Sequence, residues 1–458
     1  MTTANPTLLA NAAHDQQAAL AATMPDRLEH TARTQHPGAA WFPDASLGLF
    51  IHWGIASVHG GIDLSWSMIA GTVYDSAARG ANKLTPNQYW QLADRFQPQN
   101  YDPRKWIKAA RDAGFTYAVF TTMHHDGYTL WPTSYGDFGV QSHLGGRDLV
   151  KPFVDACREF GLQVGLYYSP PDWWFDRPYM TYHYRSTDPV GFPGRAHYDA
   201  NHMPVDLPEM PETHIIERRR MFHGRIRELL TRYGTIDLLW LDGGAFDNAV
   251  RDLARRLQPG IVINTRSCDG DYDYTECGLP QTRFHGWFET CHCWQESTLP
   301  DPRGGMVDFW GYMDHEQYKP TSWMLDTLAR LRTWGGNLLV NVGPRPDGDL
   351  PDIVYSRLAE TAAWMSHSGK SLIGPHPGPY PELCNVPVTT AGGTLFLHAL
   401  PGFAAPLKLK IPTRPRSVAL LRTGEPLPHT LTAIGELTVA MPQALRTGLV
   451  DVVAVQMH

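Results

Sequence analysis

The sequence predicts an α/β protein: a (β/α)8-like (TIM-type) barrel followed by a small C-terminal β-sandwich. Three observations carry this reading. From Leu47 onward, short apolar, β-branched or aromatic runs alternate with helical patterns. Polar residues recur at the C-terminal ends of those strand candidates, where a barrel gathers its functional groups. From about residue 375 the texture becomes apolar/polar alternation ("TLFLHAL", "LKLKIP", "SVALL", "ELTVAM", "VDVVAVQ"), the period-2 pattern of a half-buried antiparallel sheet.

Strands are expected at Leu47–Trp53, Tyr117–Thr122, Gln163–Ser169, Ile236–Leu241, Ile261–Thr265, His285–Glu289 and Asn337–Val342. Helical patterns fill 86–96, 103–113, 149–160, 213–233, 245–257 and 319–334. Asp148 and Thr213 read as N-terminal caps, and Gly114, Gly161 and Gly234 as helix stops. Seven strand candidates suit a barrel with one irregular unit. No Gly-x-Gly-x-x-Gly follows the first strand, which weakens a nucleotide-binding reading. Expected bounds are an N-terminal extension over 1–38, the barrel over 39–374 and the sandwich over 375–458. Two insertions, His59–Thr85 and the Pro- and aromatic-rich Pro170–Pro211, are long enough to be walls or lids of a site.

Composition narrows the function classes. A net charge of −7 gives no general attraction for nucleic-acid phosphates. The basic stretch from Glu217 to Arg232 carries apolar residues at helical spacing and reads as a solvated helix face. Aromatic residues make up 11%, a level that suits a core and also suits stacking on sugar rings. Six cysteines in 458 residues form no disulfide framework. Cys291-His292-Cys293 is tighter than usual zinc spacing and lacks a second pair at ligand spacing, so reduced thiols beside a strand end are expected. The N-terminus does not look like a secretory signal, and no apolar run approaches the ~20 residues of a bilayer span, so a cytoplasmic location without membrane attachment is expected, with a periplasmic or secreted one the alternative if a signal has been removed.

The strand ends carry the chemistry. His52 ends "LGLFIHWG", His124 and His125 end "YAVFTTMHH", and Tyr168 ends "VGLYYS". Asp242 ends "IDLLWLDGG", Arg266 ends "IVINTRS" and Glu289 ends "HGWFETC". Buried charges need partners, so six polar ends converging on one mouth are hard to explain by packing. His52, His124, His125 and Asp242 could ligate zinc, but the first strand offers one histidine where a His-x-His pair would be expected. Adjacent histidines also face opposite ways unless the strand bends. No Gly-x-Ser-x-Gly elbow occurs. A carboxylate pair remains: Asp242 and Glu289, flanking a glycosidic bond, one as nucleophile and one as acid and then base. Trp287 and Phe288 would raise the Glu289 pKa, and Arg266 would keep a carboxylate ionised. Taken singly, each residue also fits a structural role.

The stretches "LGLFIHWGIASV", "HHDGYTLWPTSYGDFGV", "RDLVKPFVDACREFGLQVGLYYSPPDWW", "IDLLWLDGG", "WFETC" and "GGNLLVNVGPRPDGDLP" together resemble the α-L-fucosidases of glycoside hydrolase family 29, over roughly residues 41–370. The resemblance implies a retaining exo-hydrolase acting on fucosylated glycans, with no metal and no organic cofactor. It implies Asp242 as nucleophile, Glu289 as acid/base with Glu276 and Glu296 in reserve, and sugar contacts from His52, Trp66, His124, His125, Tyr168, Trp240 and Arg266. Ser65 stands where many members carry a glutamate, which opens an α-L-galactoside or another fucose-like sugar as an alternative. A catalytically silent carbohydrate-binding homologue is the other alternative. The methyl group of fucose calls for an apolar wall, with Trp240, Phe288, Trp310 and Trp323 as candidates.

Overall fold

The computed structural model describes residues 33–71, 84–184, 186, 194–296 and 308–458. Most of the expected N-terminal extension, and parts of both insertions, lie outside them. Eight parallel strands form one sheet: β1 (Leu47–Ile51), β2 (Tyr117–Met123), β3 (Gln163–Tyr168), β4 (Leu238–Leu241), β5 (Val262–Ile263), β6 (Asp273–Glu276), β7 (Phe288–Cys293) and β8 (Asn337–Val342). Their spatial order is β5-β4-β3-β2-β1-β8-β7-β6. A parallel bridge between Asn264 and Tyr272 brings the two ends together and closes the barrel.

Helices α1 (Pro103–Asp112), α2 (Val150–Phe160), α3 (Glu212–Arg232), α4 (Asn248–Leu257) and α5 (Thr321–Arg332) cross between strands, and α6 (Asp352–Ser368) follows β8. No helix separates β5 from β6 or β6 from β7 among the described residues, so the irregular region spans two units. Gly270 permits the tight β5–β6 turn, because a Cβ there would sit 2.3 Å from the Asn264 carbonyl oxygen. Asp148 caps α2 by accepting from the amides of Val150 and Lys151, both at 2.9 Å. Gly114, Gly161 and Gly234 all take left-handed φ, as helix stops require. At α3 the expected Thr213 cap is replaced by Pro211, and the helix starts at Glu212.

Strand alternation divides each barrel strand between two cores. Leu47, Leu49 and Ile51 of β1 pack outward under the helices. Phe50, Tyr117, Val119, Tyr167, Leu238, Trp240, Val262, Tyr274, Cys291 and Leu339 fill the interior, together with Tyr272. The basic helix α3 pairs with carboxylates from outside the helix. Arg218 meets Asp176 at 2.7 Å, Arg219 meets Asp247 at 2.9 Å, and the buried Arg225 meets Asp172 at 2.7 Å.

Two strand expectations need correction. The strand placed at His285–Glu289 runs from Phe288 to Cys293, so Glu289 lies near its beginning and not at its end. Glu289 reads as a terminus because nothing next to it in the chain satisfies it; its partners are Tyr117 of β2, Trp240 of β4 and Tyr272 just before β6. The second miss is β6, whose "DYTE" has no apolar run: Tyr272 and Tyr274 face in, while Asp273 and Thr275 alternate with them.

The C-terminal region packs a five-stranded antiparallel sheet against a three-stranded one. Val388, Leu397, Leu409, Leu420, Leu437 and Val453 lie in the core between them. It is fastened to the barrel by the Thr333 hydroxyl, which donates to the Val388 carbonyl at 2.8 Å, and by the Trp364 indole, which donates to the Val450 carbonyl at 2.8 Å. Among the described residues no helix is long and apolar enough to cross a membrane.

Candidate active site

The C-terminal ends of the barrel strands open into a cavity lined by Phe50, His52, Trp66, His124, Tyr167, Trp240, Asp242, Arg266, Glu276 and Trp310. At its centre is Asp242, the residue after β4. Arg266 Nε lies 2.9 Å from Asp242 Oδ1, and the Tyr167 hydroxyl donates to Asp242 Oδ2. His125 Nε2 approaches Oδ2 at 3.7 Å. Burial alone would raise the pKa of this carboxyl, but Arg266, His125 and the Tyr167 hydrogen bond outweigh it, so Asp242 titrates below its ordinary value. It is therefore held as an ionised, oriented carboxylate.

Glu276 ends β6 on the other side of the same guanidinium, and Arg266 Nη1 donates to its Oε1. Burial raises the Glu276 pKa, the Asp242 charge adds to the rise, and Arg266 opposes it; the net shift is upward. Two carboxyl groups gripped by one cation, with pKa values pushed apart, form an acid/base arrangement of the kind glycosyl transfer uses. The Arg266 guanidinium in turn lies over the rings of Trp240 and Tyr274, 5.7 and 5.6 Å from their centroids.

Three histidines stand beside these groups. His52 Nδ1 faces Asn341 Oδ1 at 2.7 Å, and Asn341 Nδ2 donates to the Trp310 carbonyl at 2.8 Å. The amide orientation therefore makes His52 Nδ1 the donor and leaves Nε2 as an acceptor for a ligand hydroxyl. His124 Nδ1 lies 2.5 Å from Ser65 Oγ, and His125 Nδ1 lies 2.5 Å from Ser169 Oγ. Burial lowers the pKa of all three, to about 4 for His52 and His125, so they are neutral hydrogen-bonding groups at neutral pH. Both adjacent histidines reach the site because the β2–β3 register shifts between Thr121 and Met123, which bends the strand end. Trp66 meets His125 edge-on at 5.7 Å, and Trp173 of the long insertion packs on both, 5.6 Å from Trp66 and 5.0 Å from His125.

His52, Trp66, His124, Trp240, Asp242 and Arg266 thus share one cavity wall, with His125 against Asp242. Two expected residues do not join them. Tyr168 has outward parity: its ring stacks on Phe222 at 5.5 Å and its hydroxyl faces Arg225, so Tyr167 takes the place expected for it. Glu289 lies beneath the cavity floor, fully buried. It is in register with Tyr274, two positions below Glu276, and with Asn337, the first residue of β8. The Tyr117 hydroxyl (2.7 Å), the Trp240 indole (3.1 Å) and the Tyr272 hydroxyl (3.3 Å) all donate to it. The other reserve residue, Glu296, is exposed. Of the apolar candidates, Trp240 and Trp310 line the cavity. Phe288 belongs to the outer core, and Trp323 packs edge-on against His292. Phe50 and Tyr167 were missed; period-2 counting from His52 places Phe50 on the inward face, but nothing in the local pattern does the same for Tyr167.

His124, His125 and Asp242 also converge closely enough to hold a metal ion. Arg266 already supplies the positive charge beside Asp242, and Ser65 and Ser169 engage the Nδ1 atoms of both histidines.

Comparison with known proteins is consistent with this picture. Residues 11–370 match the family model described as alpha-L-fucosidase. Tissue alpha-L-fucosidase of Bos taurus is 28% identical over 368 residues, covering 74% of this chain and 70% of that protein. The Homo sapiens enzyme is 26% identical over 367 residues, with 74% and 70% covered. Among solved structures, alpha-L-fucosidase isoenzyme 1 from Paenibacillus thiaminolyticus superposes with a TM-score of 0.73 at 27% identity, over 92% of this chain and 99% of that one. A Bacteroides thetaiotaomicron fucosidase, trapped as a covalent intermediate with 2-fluoro-fucosyl fluoride, gives 0.71 at 23% identity, over 94% and 99%.

Proposed function

Because the chain belongs to the alpha-L-fucosidase family, glycoside hydrolase family 29, we propose that it is a retaining exo-α-L-fucosidase whose nucleophile is Asp242 and whose acid/base is Glu276. The observation that carries this assignment is the Arg266 fork, which holds both carboxyl groups at one cavity wall. Sharing a cation keeps the two groups close, as a retaining pair needs (about 5–5.5 Å between carboxyl groups). The covalent intermediate trapped in the Bacteroides relative supports the same route.

In the first step an Asp242 oxygen attacks the anomeric carbon. Glu276, protonated, gives its proton to the glycosidic oxygen as that bond breaks, and the aglycone leaves as an alcohol. In the second step the Glu276 carboxylate takes a proton from water. The resulting hydroxide attacks the anomeric carbon, the ester to Asp242 breaks, and the sugar leaves with retained configuration. Arg266 balances the carboxylates throughout, and the neutral histidines bind ring hydroxyls without adding charge. Phe50, Trp240 and Trp310 form an apolar surface suited to a 6-deoxy sugar's methyl group. Ser65, fully buried, acts through His124.

Azide rescue separates Glu276 from Glu289. With an aryl α-L-fucoside, Glu276→Ala should lose turnover and regain part of it with azide, yielding a fucosyl azide of retained configuration. Glu289→Ala should show no azide product. Rescue of Glu289→Ala, with none for Glu276→Ala, would restore the assignment read from the sequence.

A further inference from the structure

Behind the Glu276 wall lies a second cluster that the hydrolytic chemistry does not use. Cys277, the residue after Glu276, His292 on the outer face of β7, and Asp308 offer one thiol, one imidazole nitrogen and one carboxylate oxygen. All these atoms lie within 4.8 Å of one another. From them we propose a binding site for a zinc-class divalent cation, separate from the catalytic pocket.

Three features favour a cation at this cluster. First, His292 Nδ1 is buried and makes no hydrogen bond of ordinary geometry among the described residues, although a buried imidazole nitrogen normally has a partner. Second, Nδ1 faces Asp308 Oδ1 at 3.8 Å, too long for a hydrogen bond. It is close to the separation of about 3.4 Å expected for nitrogen and oxygen ligands on one tetrahedral zinc. Third, Cys277 adopts φ +52°, an uncommon left-handed conformation for a non-glycine residue, in the turn that brings it to His292.

The environment fits such an ion. Lys319 Nζ holds Asp308 Oδ1 at 2.6 Å and also donates to the Cys293 carbonyl at 2.8 Å. It therefore orients the carboxylate as outer partners of metal ligands do. The mixed sulfur, nitrogen and oxygen donors suit zinc or cobalt better than the all-oxygen preference of calcium or magnesium. Three protein ligands leave a fourth position for water. Chain spacing hides the set: Cys291-His292-Cys293 contributes only its histidine, and the thiol comes from the end of a neighbouring strand. An ion here would pin the backbone just after Glu276 to β7.

The test uses Co2+ added to the full-length, chelator-treated protein. Thiolate-to-cobalt charge-transfer absorption is expected to saturate at one equivalent and to be displaced by Zn2+. Cys277→Ser should weaken Co2+ binding by at least about 100-fold and abolish the band. Asp308→Asn serves as a second variant should Cys277→Ser fold poorly. Cys384→Ser, in the sandwich, should change nothing. Absence of a stoichiometric band, or its persistence in Cys277→Ser, overturns the site. The catalytic cluster contains no thiol, so it cannot produce this band, and hydrolysis of an aryl fucoside by the same samples reports separately on the proposed activity.

Discussion

Asp242 depends on Arg266 for its charge. Loss of that guanidinium leaves a buried carboxylate with fewer stabilising partners, so Arg266→Met should raise its pKa. An ionised nucleophile is required, and activity disappears as pH falls through the folded-state pKa. The acidic limb of kcat/KM should therefore move to higher pH in Arg266→Met, with kcat/KM at neutral pH reduced by roughly 10- to 100-fold. Asp242→Ala should lose at least about three orders of magnitude in kcat, measured on an aryl fucoside. At this scale the sequence was informative where a residue's role is set by its strand end. The cavity positions of His52, Asp242 and Arg266 could be read directly. Parity misled at Tyr168, because a strand's last residue faces either way and only the register places Tyr167 inward. The burial of Glu289 was not legible, because a glutamate within an apolar run looks like an interruption until its donors from β2, from β4 and from Tyr272 just before β6 are known.

Those donors build a polar floor beneath the active site. Tyr117, Tyr272 and Trp240 converge on Glu289, and burial raises its pKa to about 7 from an ordinary value of 4.5. A raised carboxyl pKa means that folding favours the protonated form. Its stabilising contribution is complete below pH 4.5 and is lost as pH climbs toward 7, a swing of about 3 kcal/mol. Glu289→Gln keeps an acceptor for the indole but cannot ionise. The stability difference between variant and parent, from urea melts, should shift in the variant's favour between pH 4.5 and 7 and stay flat below. The "HHDG…LWP" stretch divides in a similar way. Its histidines reach the cavity, while Asp126 takes the Tyr89 hydroxyl (2.7 Å) and the Tyr128 amide (2.9 Å), and Trp131 donates to Glu228 (3.1 Å). One motif thus supplies both ligand contacts and scaffolding, and the residue types alone do not say which is which.

For the molecule as a whole, the barrel and sandwich were legible because both rest on periodicity, which short-range sequence records. The irregular flank was not: β6 lacks an apolar run and no helix precedes it, so nothing in the local pattern announces a strand. Among the described residues, β5 and β6 meet through one bridge, Asn264 with Tyr272. Gly270→Ala should force that turn apart and cost about 1–3 kcal/mol in denaturant melts. A tight iminosugar at about 100 times its Kd should stabilise the chain by about 2.7 kcal/mol. Arg266 follows β5 and Glu276 ends β6, so the ion pair between them is also a clasp across the thinnest seam in the cylinder. Loss of that clasp would loosen the wall and scatter the reacting groups in one event. Hydrogen exchange should therefore find the first fraying of this enzyme in its own working parts, and an occupied pocket should act as a second button on the same seam.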